Sequence, residues 1–78
     1  MLREHLAINL KQLRRERSWT QETAAERCGI SPRYWGKLEL GKATASLDTL
    51  DKIAAGLELE PAALLRGPER GAGSDAEI

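Results

Sequence analysis

Most of the residues that could carry out recognition chemistry lie in one stretch, CGISPRYWGKLELGK, residues 28–42. It holds Tyr34 and Trp35 in a chain with only 4% aromatic residues, and Arg33 and Lys37 lie on either side of them. Because Arg33 and Lys37 are four residues apart, a helix would place them one above the other on one face. Guanidinium and ammonium groups in this arrangement are typical of a surface that binds an anion.

The distribution of charge also favours an anionic partner for the first half of the chain. Residues 1–44 carry nine Lys and Arg against five Glu, a net charge of +4, whereas residues 45–78 carry three against seven, a net charge of −4. A polyanion would therefore be met by the basic half. The alternative is that both halves simply present solvated charged faces with no partner.

The composition argues against an enzyme. A single histidine, His5, and a single cysteine, Cys28, cannot build a Cys/His metal site, and no pair of nucleophile and base is visible. We therefore predict no catalysis, no cofactor and no metal. Cys28 is expected to be an inert core thiol, with a redox sensor as the alternative.

The chain shows no signal for a membrane or for secretion. No apolar run approaches the roughly 18 residues that a membrane span requires. The start, MLREHLAINL, carries Glu4 and His5 and lacks a secretory hydrophobic segment. A soluble, cytoplasmic protein without membrane contact is expected.

Periodicity and capping residues predict only helices. Leucines 6, 10 and 13 recur at helical spacing, so a first helix is expected over residues 3–17, and no run alternates with period two as a strand would. Residues that favour the start of a helix and glycines that favour its end then divide the rest of the chain. The starting hydroxyl residues are Thr20, Ser31 and Ser46, the starting prolines are Pro32 and Pro61, and the ending glycines are Gly29 and Gly41. The expected segments are 21–28, 32–40, a fourth helix after Ser46, and a short fifth from 61 to about 66.

These segments form one predicted domain over residues 1–66. The remaining sequence, GPERGAGSDAEI, is polar, rich in glycine and almost without apolar side chains. Residues 67–78 are therefore predicted to be a disordered tail.

Two short helices joined by a glycine-containing turn are typical of a helix-turn-helix. The run LRRERSWTQETAAERCGISPRYWGKLELGK followed by SLDTLDKIAAGL resembles the Xre/Cro-type, phage-repressor-like regulators over residues 6–65. The resemblance implies a compact all-α, five-helix, lambda-repressor-like DNA-binding domain with the helix-turn-helix at about 21–40. It further implies a transcriptional regulator that binds double-stranded DNA, as a homodimer on a pseudo-palindromic operator.

The resemblance also implies roles for individual residues. Gln21 matches a phosphate-binding glutamine, and Pro32, Arg33 and Lys37 match base-reading positions in the major groove. Arg33 could bind guanine O6 and N7, and Lys37 could reach another guanine or a phosphate. Pro32 departs from the polar residue often found there and offers only an apolar contact, such as to a thymine methyl group.

Further contacts are expected from residues in and around the predicted helix 32–40. Arg17 and Lys42 are expected to contact phosphates, whereas Leu40 replaces a polar residue that some relatives use for that purpose. The Tyr34 hydroxyl is expected either to bond a phosphate or to cover neighbouring apolar surface. Gly36 matches an exposed, DNA-facing position, where it either admits the DNA backbone closely or is neutral.

The resemblance also bears on the packing of the domain. Trp35 stands where relatives carry a buried aliphatic residue and Ala24 where they carry leucine, so the exchange of sizes predicts a core role for Trp35 rather than base stacking. Arg14 and Glu39 match a pair that forms a buried salt bridge. Glu58 stands where a helix-ending glycine is common.

A different class of function is a protein-interaction module, such as an antitoxin that holds a protein partner. The acidic second half and the tail favour it, because such segments can order on binding. The leucines at 57, 59, 64 and 65 are expected either to form a dimer surface or to close the core.

Overall fold

The domain is built from four α-helices and one final turn of 3₁₀ helix. The computed structural model describes residues 2–66, so the predicted tail at 67–78 lies outside the described residues. The elements are α1 (Leu2–Glu16), α2 (Gln21–Cys28), α3 (Pro32–Glu39), α4 (Leu47–Leu57) and the 3₁₀ helix (Pro61–Leu65). Within residues 2–66 there is no strand, as the sequence predicted.

The predicted caps define where α2, α3 and α4 begin. The hydroxyl oxygens of Thr20, Ser31 and Ser46 each accept a hydrogen bond, 3.0–3.1 Å long, from the backbone N–H three residues later. Each bond satisfies a first-turn donor that the helix itself cannot pair. Gly29 ends α2 in the left-handed conformation with φ +72°, where glycine has no Cβ to clash.

All five segments contribute to a single core. Its largest fully buried side chains are Leu10, Trp35, Leu38, Ile53, Leu57 and Leu64. Trp35 and Ala24 are both 0% exposed in this cluster, which confirms the predicted core role of Trp35. Leu57 and Leu64 close the core, while Leu59 and Leu65 are only half-buried against it.

The structure differs from the expected five-helix count at the C-terminal segment. Residues 61–65 form 3₁₀ rather than α-helix, with Pro61 at the first position and Glu60 providing no side-chain cap. Asn9 of α1 anchors this turn, because its Nδ2 donates 2.8 Å hydrogen bonds to the carbonyl oxygens of Leu64 and Arg66. Short 3₁₀ runs are common as terminal and connecting pieces.

Two further backbone features bear on the packing. A Cβ on Gly56 would lie 2.6 Å from the carbonyl oxygen of Arg27, so the close contact between α2 and α4 requires glycine there. Glu58 caps α4 in the left-handed conformation with φ +60°, a role that glycine fills more easily. No helix among residues 2–66 is both long and apolar enough to cross a membrane.

Candidate nucleic-acid interface

The helix α3 has one face locked into the core and one face open to solvent. Trp35, Leu38 and Glu39 are at most 4% exposed and hold the inner face. Pro32, Arg33 and Lys37 are exposed on the outer face. The turn that aims α3 is fixed by Gly29 and by a 3.0 Å hydrogen bond from the Ile30 N–H to the Ala25 carbonyl oxygen. The outer face of α3 is therefore presented on a rigid support.

Three cations on this side of the molecule are left unpaired by the fold. Arg33, Lys37 and Lys42 are exposed, and within residues 2–66 none of their side chains has a hydrogen bond or an ion pair. Arg33 and Lys37 lie one turn apart on α3, as the sequence indicated. Their donors can therefore bind an external acceptor without first breaking a contact within the domain.

Gly36 lies between Arg33 and Lys37 and is half-buried. A Cβ built on it would meet only the Gln21 Oε1, at 3.8 Å, which is an ordinary van der Waals distance. The folded domain therefore does not need glycine at this position. Any requirement for it would have to come from a molecule bound against α3.

Gln21 is the first residue of α2 and its side chain is exposed. Its Nε2 donates a 3.0 Å hydrogen bond to Oε1 of Glu39 and has a second N–H left over. The backbone N–H groups of Gln21 and Glu22 have no acceptor among the described residues, as is usual in a first helical turn. Free N–H groups at the positive end of a helix can bind a phosphate.

Glu39 is the centre of a buried hydrogen-bond network behind Gln21. Its Oε2 accepts from Arg14 Nε and Trp35 Nε1, both at 2.6 Å, and its Oε1 accepts from Arg14 Nη2 at 3.1 Å as well as from Gln21. The predicted salt bridge between Arg14 and Glu39 is confirmed. Gln21 is the one member of this network whose residue is exposed.

The network keeps Glu39 ionised. Burial raises the pKa of the Glu39 carboxyl, but hydrogen bonds from Arg14, Gln21 and Trp35 and the charge of Arg14 outweigh it, so the pKa lies below its ordinary value. The hydrogen bond to Glu39 raises the pKa of Arg14 against the smaller opposing effect of burial. The pair therefore stays charged at neutral pH.

The Tyr34 hydroxyl is bonded within the domain. Its hydroxyl donates a 2.8 Å hydrogen bond to the backbone carbonyl oxygen of Thr44, and its ring is half-buried against the core. The one hydroxyl proton is therefore already used within the domain. Of the two alternatives, the structure favours the one in which the Tyr34 ring covers apolar surface. Its hydroxyl also links α3 to the loop that precedes α4.

Arg17 is likewise partly held within the domain, and its contact with a phosphate stays a prediction. Its Nη2 donates to the carbonyl oxygen of Leu57 at 2.9 Å and its Nη1 to that of Leu13 at 3.2 Å. The guanidinium also lies 5.6 Å from the ring centre of Trp19, which Arg27 approaches at 5.0 Å. Arg17 thus links the end of α1 to the end of α4 through two of its five N–H donors, and the other three have no acceptor among the described residues.

Sequence reasoning missed two contacts that organise the site. The resemblance predicts a core position for Trp35 but not the hydrogen bond from its indole N–H to Glu39. Their i, i+4 spacing on one helix was the available signal. It also missed the link from Gln21 to Glu39, which joins residues 18 apart and depends on how α2 and α3 pack.

Cys28 shows the properties of a core thiol. It is 3% exposed, and burial raises its pKa above the ordinary value, which disfavours the reactive thiolate. Its Sγ lies 3.7 Å from the carbonyl oxygen of Ile53. In the part of the chain that the structure describes, no group of three or more His, Cys, Asp or Glu side chains could hold a metal ion.

The chain matches a known protein family and several transcriptional regulators. A family model described as a helix-turn-helix domain matches residues 5–66. The chain is 34% identical over 68 residues to the HTH-type transcriptional regulator SutR of Escherichia coli, which covers 87% of this chain and 38% of that protein. It is 32% identical over 68 residues to a hypothetical transcription factor of Neisseria meningitidis, covering 87% of this chain and 64% of that one. The chain thus spans about two fifths of the length of SutR and just under two thirds of the length of the Neisseria protein.

Solved structures agree with the sequence matches. The crystal structure of the Neisseria hypothetical transcription factor NHTF superimposes with a TM-score of 0.82 at 32% identity, covering 87% of this chain and 78% of that one. The restriction-modification controller protein C.AhdI of Aeromonas hydrophila superimposes with a TM-score of 0.75 at 32% identity, covering 80% and 94%. The chain belongs to the Xre/Cro-type helix-turn-helix family of transcriptional regulators.

Proposed function

We propose that this protein regulates transcription by binding double-stranded DNA in a sequence-specific manner, with α3 in the major groove. The observation that carries the proposal is the outer face of α3, where Arg33 and Lys37 are exposed, one turn apart and without partners in the domain. Arginine and lysine on such a face can donate to guanine O6 and N7. Pro32, at the start of the same helix, can make an apolar contact.

The backbone contacts follow from the elements next to α3. Gln21 and the first-turn N–H groups of α2 would bind one phosphate, and the exposed Lys42 would bind another. The domain itself has room for a Cβ at Gly36, and we propose that the missing side chain lets the duplex approach α3 closely. Contacts of this kind fix the register of the protein on DNA, whereas Arg33 and Lys37 supply the sequence preference.

We further propose a cytoplasmic homodimer that binds a pseudo-palindromic operator. A single α3 contacts only a few base pairs, and two-fold symmetric regulators of this kind read half-sites about one helical turn apart. Leu59 and Leu65, half-buried near the end of the described residues, are two apolar residues that a partner subunit could cover.

A second candidate is a protein-interaction module, and one observation favours it. Leu40 and Leu47, at the two ends of the loop between α3 and α4, are 66% and 80% exposed. Exposed apolar side chains mark a protein contact where they form one contiguous patch. This function would not require any affinity for a duplex.

The two functions differ in their response to salt. A duplex selected from a randomised pool should bind the purified protein more tightly than a scrambled duplex. Its affinity should fall steeply between about 50 and 200 mM salt, because each phosphate contact releases counterions. Exchange of Lys42 for alanine should reduce the slope of log affinity against log salt by about 1. If no duplex is enriched and binding stays weak at low salt, the protein-interaction module is the better account.

A further inference from the structure

We propose that Glu39 is a positioning residue for DNA binding, acting through the orientation of the Gln21 side-chain amide. This inference rests on the proposed function, because it assigns the end of Gln21 that meets a phosphate. The juxtaposition behind it is the 3.0 Å hydrogen bond from Nε2 of Gln21, an exposed residue, to Oε1 of Glu39, which is 4% exposed.

The two ends of a glutamine amide differ in what they can bind. Nε2 only donates and Oε1 only accepts, so a phosphate is bound by the first and repelled by the second. A glutamine at the open end of a helix would sample both orientations and several rotamers. An ionised carboxylate accepts hydrogen bonds and donates none, so Glu39 selects the orientation with Nε2 turned towards it.

Glu39 can select this orientation because it is itself immobile. Arg14 holds both of its carboxylate oxygens, and the indole N–H of Trp35 holds one of them again. Oε1 of Gln21 lies 3.8 Å from where a Cβ of Gly36 would stand, so the amide lies along α3 with Nε2 at Glu39 and Oε1 near Gly36. The second N–H of Nε2 remains for an external acceptor, at the end of α2 where the backbone N–H groups of Gln21 and Glu22 are also unpaired.

The consequence is a contact that is organised before DNA arrives. Ordering a flexible side chain on binding costs affinity, and a side chain that is already ordered avoids that cost. Removing the restraint should weaken duplex affinity by about 2- to 10-fold, the range expected for one immobilised side chain. The buried carboxylate would thus contribute to DNA binding without touching DNA.

A double-mutant cycle separates this role from a purely structural one. Affinity for the selected duplex is measured for wild type, Gln21→Ala, Glu39→Gln and the double variant, at a temperature where circular dichroism shows all four folded. Glu39→Gln should weaken binding about 2- to 10-fold when Gln21 is present and leave it unchanged in the Gln21→Ala background. An equal loss in both backgrounds overturns the proposal.

Leu64→Ala is the matched control, because it removes a fully buried side chain outside the network. It should change affinity by the same factor in both backgrounds. If the wild-type protein binds no duplex at all, the proposed function fails and this inference falls with it. Wild-type binding without coupling in the cycle overturns this inference alone.

A measurement on the wild-type protein covers the case in which Glu39→Gln does not fold. In a nuclear magnetic resonance spectrum of the free protein, one of the two Nε2 protons of Gln21 should be shifted downfield and exchange slowly with water. Its partner should shift when the selected duplex is added. Two Nε2 protons that both behave as in a free glutamine, before and after DNA, would contradict the inference.

Discussion

The indole N–H of Trp35 donates a 2.6 Å hydrogen bond to Oε2 of Glu39, one turn further along α3. Trp35 is 0% exposed and Glu39 is 4% exposed, so the bond lies in the interior. The large side chain at this position therefore does more than fill volume in the core. It also supplies a donor to a buried charge, which an aliphatic residue could not do.

Trp35→Phe should reveal that second role. The substitution keeps an aromatic ring but removes the indole N–H, and we expect the free energy of unfolding to fall by about 1–3 kcal/mol. Urea denaturation followed by circular dichroism measures the change. Trp19→Phe is the control, because Trp19 is half-buried and stacks with Arg17 and Arg27, so its loss should stay below about 1 kcal/mol. A Trp35→Phe variant as stable as wild type would show that the bond contributes nothing.

Stability should fall in acid because of Glu39. Its folded-state pKa lies below the ordinary value of 4.5, so the stabilisation is fully present above that value and is lost as pH falls through the folded pKa. Each unit of pKa lowering corresponds to about 1.4 kcal/mol. Unfolding free energies measured between pH 7 and pH 3 should start to decline near pH 5. The decline should be shallower in Glu39→Gln, and equal slopes in the two proteins would exclude Glu39 as the cause.

Two glycines should respond in opposite ways to alanine. Gly36→Ala should keep or raise the stability by about 0.5–1 kcal/mol, because a mid-helix glycine is unfavourable and the added Cβ meets only Gln21 Oε1 at 3.8 Å. Gly56→Ala should destabilise by about 1–3 kcal/mol, because its Cβ would lie 2.6 Å from the Arg27 carbonyl oxygen. Thermal unfolding measures both. Duplex titration of Gly36→Ala then tests close DNA approach, since weaker binding by a more stable protein cannot come from folding.

Glu58→Gly should stabilise the domain. Glu58 has φ +60°, which strains a residue with a Cβ, and the gain is limited by the larger freedom of glycine in the unfolded chain. We expect up to about 1 kcal/mol, or about 4–8 °C in Tm for each kcal/mol in a domain of this size. Gly29→Ala, at φ +72°, is the reciprocal control and should lower Tm. A lower Tm for Glu58→Gly would mean that the side chain makes a contact that offsets the strain.

Local signals were sufficient to predict most of the helix boundaries. The cap residues Thr20, Ser31 and Ser46 act within three residues of their partners, and their hydrogen bonds are confirmed. The last segment was harder, because it is held by a long-range contact: Asn9 donates to the carbonyl oxygens of Leu64 and Arg66, more than 50 residues away. The helix propensities of the residues near Pro61 do not indicate that contact.

The candidate site shows the same division between local and long-range information. The exposure of Arg33 and Lys37 follows from helical spacing, and the salt bridge of Arg14 with Glu39 followed from family resemblance. The hydrogen bonds of Arg17 to Leu57 and of Tyr34 to Thr44 could not be predicted, because they depend on where loops and helix ends meet in space. From the sequence, Arg17 is expected to contact a phosphate, and Tyr34 either to bond a phosphate or to cover apolar surface.

The central claim is that the outer face of α3 reads base pairs, and Arg33→Ala tests it most directly. The selected duplex is varied one base pair at a time, and affinities are measured for wild type, Arg33→Ala and Lys52→Ala, whose exposed cation lies on α4. The account predicts that Arg33→Ala loses about 1–3 kcal/mol of discrimination at one base pair in each half-site. Lys52→Ala should keep every preference. Unchanged base preferences in Arg33→Ala would contradict the assignment of α3 as the reading helix.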